Sequence, residues 1–282
     1  MAIDVSSSSY DNPDIVINFK NSSDSCITVP HMHSRYEIYY NICGAKAFMC
    51  DGKVYPCSCC DLIVVPKICA HKVFMNKDMS YERCIISVEE TVVDMISILC
   101  RAEDCFSWLT DSNPSTISHT KLNESQHIEF MKLTKDYLNA EKTTDKLLTL
   151  ASFINILSFL GKCFKVRVDM PCIDIEILSP VEKALVLIEQ RFRTITPMEV
   201  CKEIYFSEDH LNRLFKQEIS MTIKQYIVMR KLTEAKKHLY QGKTAKEACF
   251  LSGFRDYSNF RRTFKNYEGY NPGNLEELTS PI

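Results

Sequence analysis

A chain of 282 residues is longer than a single domain usually runs, and its 45% hydrophobic and 25% charged content is ordinary for soluble globular protein; nothing in it suggests disorder, and two domains are expected. The net charge of −2 says nothing about partners until the chain is divided: 17 basic and 13 acidic residues lie from Pro180 onward, against 17 and 23 before it, the footprint of a polyanion binder behind an acidic body. Met1–Tyr10 lacks the basic start and apolar core of an export signal, so the 14 Cys are expected to be reduced thiols of a cytoplasmic protein.

From Ile15 to Ser87 short runs rich in Val, Ile, Tyr and Cys are broken by Asp51-Gly52, Pro56, Pro66 and Asn76-Lys77-Asp78. These are strand signals, and their spacing predicts an antiparallel sandwich or small barrel, not alternating β-α units. Within it Cys57, Cys59 and Cys60 contain a single C-x-x-C spacing with no second pair, so strand packing is favoured over a zinc or redox role. The period then changes, and Leu122–Lys142 and Thr144–Phe164 carry apolar residues at helical spacing. The stretch Leu147–Leu160 is apolar but, interrupted by Ser152, Asn155 and Ser158, is read as a buried helix too short to span a bilayer. Lys165–Pro180, with Pro171 and Pro180, reads as a connection, dividing the chain into 1–170 and 171–282. Beyond it the pattern is helical throughout: Val181–Phe192, Pro197–Ile204, Glu208–Glu218, Thr222–Tyr240, Ala245–Leu251, Tyr257–Tyr267 and a short last helix after Pro272. Thr196 and Ser207 fit N-caps, and Gly242 and Gly253 fit C-terminal stops. The fold class is α+β: a β unit with two helices, then an all-α domain.

The last domain contains a repeat. Leu211-Asn212-Arg213-Leu214-Phe215-Lys216 returns as Phe260-Arg261-Arg262-Thr263-Phe264-Lys265 at an offset of 49, each on a short helix preceded by a turn and another short helix. That is helix-turn-helix spacing, twice. Leu211 with Phe215, and Phe260 with Phe264, put the apolar positions on one helix face. The opposite faces and the turns offer Ser207, Asp209, His210, Asn212, Arg213 and Lys216, then Arg255, Tyr257, Ser258, Arg261, Arg262 and Lys265. Arg forks onto guanine and Asn onto adenine in the major groove, while Lys near a helix end suits phosphate. Between the copies, Thr222–Tyr240 forms one long helix, with Lys224, Arg230, Lys231, Lys236 and Lys237 expected to face outward. Such a rod would fix the separation of the two reading helices on double-stranded DNA.

Residues Val181–Asn274 resemble the DNA-binding domain of AraC/XylS-family transcription regulators, through Ser207, His210-Leu211, Arg213, Phe215-Lys216, Tyr226, Arg230, Leu232, Ala235, Gly253-Phe254, Ser258, Phe260, Phe264-Lys265 and Pro272. Ser220 stands where that family usually has Gly and is expected to cap the long helix; Cys249 replaces a small Ala, and Ile223 a common Pro. The resemblance implies a cupin-like effector-binding β domain in front, with the helices between Leu122 and Phe164 serving dimerisation. It also implies contact with RNA polymerase where the protein acts as an activator. His31-x-His33, Glu37 and Gly44 keep the spacing of the first cupin motif, and Pro66 and His71 fall where the second would put them. Cys60, Ile68 and Met75 depart from that second motif.

Two readings of the β domain follow. In one, His31, His33, Arg35, Tyr36, Glu37, Tyr39 and His71 line a pocket for a small organic effector, a sugar or other metabolite. In the other, His31, His33, Glu37 and His71 hold a divalent transition metal. The expected protein is a sequence-specific, effector-controlled regulator, a cytoplasmic dimer without membrane or catalytic role. A metal sensor, or a cupin-type metal enzyme using the same four residues, is the alternative, and the C-terminal repeat counts against the enzyme.

Overall fold

The computed structural model describes residues 14–22, 30–31, 33–67, 69–76, 78–101, 105–111, 117–143, 145–164 and 177–273. The connection expected at Lys165–Pro180 lies for the most part outside them, as do the last helix expected after Pro272 and the N-terminal ten residues. The chain divides into two compact units between Ile173 and Asp174.

The first unit carries β1 (Ile15–Ser22), β2 (Tyr36–Cys43), β3 (Ala45–Cys50), β4 (Lys53–Pro56), β5 (Asp61–Val65), β6 (His71–Met75), β7 (Tyr81–Val88) and β8 (Ser118–Lys121). They form a five-stranded sheet in the order β1-β7-β2-β5-β8 and a three-stranded sheet in the order β4-β3-β6, with antiparallel pairing throughout. Of the two arrangements expected, a sandwich or a small barrel, the strands form two facing antiparallel sheets. Alternation along the strands explains the large sheet's composition. Tyr36, Ile38 and Tyr40 of β2, with Leu62 and Val64 of β5, join a core shared with helices α1 (Glu90–Cys100), α2 (Ser107–Thr110), α3 (Glu124–Glu141) and α4 (Lys146–Cys163). Tyr39, Ile63 and Val65 turn the other way, onto Phe48, Cys50, Tyr55 and Val73 of the small sheet. Both faces of the large sheet are thus buried, which is why residues 62–65 read as one apolar run.

Three elements of this unit escape the sequence pattern: α1, α2 and β8. The three clustered thiols diverge, with Cys57 in the inter-sheet core, Cys60 against the helix-side core and Cys59 exposed, so they form no joint site. At 18 residues α4 is longer than the apolar stretch read from the sequence, and with a mean hydropathy of 1.3 it is long and apolar enough to cross a membrane by length and composition; Phe153, Ile156, Leu157 and Leu160 pack in the core, as expected of a buried helix.

The second unit holds α5 (Pro180–Arg191), α6 (Pro197–Ile204), α7 (Glu208–Ile219), α8 (Ile223–Tyr240), α9 (Ala245–Leu251) and α10 (Tyr257–Glu268). Its helix starts are chemically written. Ser179, Thr196, Thr222 and Thr244 each accept from the backbone N–H three residues on, and the residue there, Glu182, Glu199, Gln225 and Glu247, bonds back to close a capping box. Asp256 caps α10 through Asn259 N–H at 2.6 Å. Ser207 begins α7 without a side-chain cap bond. Ser220 does not cap the long helix as expected: it ends α7 at φ 62°, taking the left-handed position for which Gly is suited, and Thr222 starts α8.

The core of the second repeat unit is Leu232, Ala235 and Leu239 of α8 against Ala248, Cys249, Phe254, Phe260 and Phe264. Cys249 packs fully buried beside Ala248, in the place of a small apolar residue. The first repeat unit buries Val200, Cys201, Ile204, Leu211, Phe215 and Ile219, with the Phe215 ring edge-on to Tyr226 of α8.

Candidate functional site

In the second unit, each reading helix buries one face and exposes the other. Leu211 and Phe215 of α7, and Phe260 and Phe264 of α10, are fully buried, whereas Asp209, His210, Arg213 and Lys216, and Tyr257, Ser258, Arg261, Arg262 and Lys265, are exposed. Ser207 and Arg255 are exposed in the turns. Asn212 is different: it is half-buried, and its Oδ1 accepts from the Ile223 backbone N–H at 3.1 Å, tying α7 to the start of α8. Asn259 was missed by the sequence reading. It is exposed one turn into α10 and accepts from Arg262 at 3.3 Å, while Arg261 donates to Asn271 at 3.2 Å.

The two turns are built alike. Tyr205 and Gly253 both follow the first helix with positive φ, and the next residue's N–H returns to the helix, Phe206 to Cys201 O at 3.0 Å and Phe254 to Cys249 O at 3.1 Å. That match has an offset of 48, one less than the reading helices, so the second turn is one residue longer. Tyr205 tolerates the left-handed backbone because it projects into solvent, 94% exposed. Gly253 has no such room: a Cβ there would stand 2.5 Å from Arg193 O.

The connecting helix is anchored by charges that the sequence reading had facing outward. Arg230 is buried, donating from Nε to Glu189 of α5 at 2.6 Å and lying 4.4 Å over the Phe192 ring. Tyr226 OH donates to the other Glu189 oxygen at 2.7 Å. Lys231 donates to Gly253 O at 2.9 Å, and Lys236 to Glu268 at 2.8 Å, so these two hold the second repeat unit. Lys224 is exposed.

In the first unit, His31, His33, Glu37 and His71 converge, with one ligand-type atom from each lying within 4.8 Å of all the others. His31 and His33 lie outside the strands, on the segment leading into β2. His31 pairs with His71 by a two-bond backbone bridge, 3.2 and 3.0 Å, which joins the lead-in of the large sheet to the first residue of β6 in the small one. Glu37 arrives from β2 on the same face as Tyr39.

Backbone carbonyls orient two of the rings. His71 Nδ1 donates to Cys69 O at 3.1 Å and His33 Nδ1 to Arg35 O at 3.1 Å, since a carbonyl can only accept. Both Nε2 atoms therefore face Glu37, that of His33 at 2.8 Å from Oε2 and that of His71 at 3.6 Å from Oε1. The buried His71 Nε2 has no hydrogen-bond partner. Burial opposes the Glu37 charge, but the His33 hydrogen bond and the three imidazoles outweigh it and hold the carboxyl at about 2. Burial pushes His71 down to about 3. The cluster thus presents a carboxylate and a neutral buried imidazole.

Of the other expected pocket residues, Arg35 touches the cluster through its backbone carbonyl while its side chain and that of Tyr36 are engaged elsewhere. Tyr36 is on the helix side of the large sheet with Lys67 over its ring at 4.7 Å, and Arg35 pairs with Glu89 at 2.7 Å. Tyr39 shares the cluster's face but is buried, its hydroxyl 3.1 Å from that of Tyr81.

A β unit with a largely buried histidine–carboxylate cluster, followed by two helix-turn-helix units on one connecting helix, defines a DNA-binding regulator with a ligand-binding domain. Residues 14–119 match the family model of the AraC-like ligand binding domain, and residues 200–277 that of a helix-turn-helix domain. An AraC-like ligand binding domain followed by a helix-turn-helix domain is the make-up of an AraC-type transcription regulator. No curated protein matches it. Solved structures similar to it include ToxT from Vibrio cholerae O395 bound to (E)-4-(8-methylnaphthalen-1-yl)but-3-enoic acid, at 12% identity and TM-score 0.39, covering 95% of this chain and 100% of that one. The AraC-like transcriptional activator CuxR is similar at 11% identity and TM-score 0.33, with 85% and 82% covered. The xylose-binding transcription activator xylR follows at 16% and 0.31, with 48% and 39% covered. The metal-sensing alternative draws no support from these comparisons and stands on the geometry of the four residues alone.

Proposed function

We propose that this protein reads a specific DNA sequence through α7 and α10 and that occupancy of its first unit controls that reading. The observation that carries the proposal is the pair of reading helices: two copies with matched turns, each with its apolar face buried and its Arg-bearing face exposed, on one anchored helix. Arg213 and Arg262 serve base recognition by bidentate bonding to guanine, and Lys216 and Lys265 hold phosphates. Ser207, Asp209, His210, Arg255, Tyr257, Ser258 and Arg261 complete the contact surface. Asn212 acts through the α7–α8 corner.

The protein works in the cytoplasm as a dimer, with RNA polymerase as its further partner where it activates. Exposed Ile128 on α3, with Leu147, Leu148 and Ile154 on α4, supplies the apolar surface that dimerisation would cover. Selecting bound fragments from a random DNA pool tests the reading. A recovered motif bound far more tightly than scrambled DNA is expected, and equal affinity for both would refute it.

A further inference from the structure

We infer that the first unit binds one first-row divalent transition cation through His31, His33, Glu37 and His71. This names the occupant of the ligand domain, and its regulatory meaning rests on the function proposed above.

The geometry favours a cation between these groups. With Nδ1 of His33 committed to the Arg35 carbonyl, its Nε2 lone pair would face a carboxylate oxygen at 2.8 Å, a repulsive pairing unless a proton or a metal ion lies between. A proton on His33 satisfies that one contact. It leaves the buried His71 Nε2, turned toward the same carboxylate by the Cys69 carbonyl, without a hydrogen bond. A metal ion satisfies both. Metal–ligand bonds near 2.1 Å bring adjacent donors to about 3 Å and opposed ones to about 4 Å, and all four donors here lie within 4.8 Å of one another.

The surroundings are those of a metal centre. A ligating imidazole characteristically donates its second nitrogen to a carbonyl or carboxylate, and both His33 and His71 do so. Phe48 lies parallel to the His71 ring with the ring centroids 6.1 Å apart. Three imidazoles with one carboxylate suit zinc, cobalt, nickel or ferrous iron, whereas magnesium and calcium prefer oxygen donors throughout. His31 is exposed while Glu37 and His71 are buried, so His31 is the solvent-side ligand.

Titration of the chelator-treated full chain with Co2+, followed by its visible absorption, tests the inference. One equivalent is expected to bind, to be displaced by Zn2+ and to be unaffected by excess Mg2+. Glu37→Gln and His71→Ala should each weaken Co2+ binding by at least about tenfold. The exposed His31→Ala should do so with an unchanged melting curve, and His127→Ala, outside the cluster, should bind as wild type. Absence of a bound-cobalt spectrum in wild type, or its persistence in both Glu37→Gln and His31→Ala, overturns the site. DNA affinity for the selected motif, measured on the same preparations, separates the two readings. Motif binding without cobalt binding refutes the metal site and leaves the regulator. Cobalt binding without motif preference refutes the regulator and leaves the metal site.

Discussion

Arg213 and Arg262 are the residues on which sequence recognition depends most directly. Arg213→Ala and Arg262→Ala are each expected to lower affinity for the selected motif by about 1–3 kcal/mol while leaving affinity for scrambled DNA nearly unchanged. Lys265→Ala should weaken both to the same extent and flatten the dependence on salt, which equilibrium binding at several ionic strengths would reveal. Gly253→Ala should destabilise the second unit by about 1 kcal/mol or more, read as a lower thermal midpoint, because it adds a crowded Cβ to a left-handed backbone. Asp61 provides a pH test. Burial raises its pKa, but His119 and the Ser58 backbone and hydroxyl outweigh that and bring it below 3.8. Since the folded value lies under the unfolded one, this stabilisation is complete above the ordinary Asp range and disappears as pH falls through the folded value. Asp61→Asn should therefore lower the denaturation midpoint at pH 6, with the gap to wild type closing as the pH falls below the ordinary Asp range.

At the scale of elements, the second unit was the more legible half. Its six described helices share a 3.6-residue apolar period, and four of them also start at a Thr or Ser cap answered three residues later by Glu or Gln, so their limits fall within about two residues of the expected ones. What the letters did not carry was partnership across space. A polar residue on a helix reads as solvent-facing, and only the fold reveals that Arg230 finds Glu189 or that Asn212 finds the start of α8. In the first unit, α1 was hidden because Glu89 gives its start no side-chain cap and its Val, Ile and Leu content also suits a strand. The histidine cluster was legible as a spacing, while the carbonyls that turn its rings were not. The Glu189–Arg230 pair yields an element-scale prediction. Glu189→Ala leaves a buried guanidinium without its main partner and should cost about 3–5 kcal/mol of stability, detectable by chemical denaturation.

For the whole molecule, the prediction concerns the DNA it selects. Two reading helices per chain should give a motif of two short conserved blocks, and a dimer should give that motif twice, so the number of blocks recovered reports the number of chains bound. The anchored α8 has a further consequence for that pattern. It joins the two repeat units without a flexible joint, so it sets an angle as well as a distance. One extra residue inserted between Arg230 and Lys231 would turn everything after it by about 100° and advance it by about 1.5 Å. Both halves could stay folded while the second came to point away from the groove. Loss of motif binding in such a variant, with its melting behaviour retained, would mean that the recognition of sequence here is a matter of phase, fixed by the pitch of a single helix.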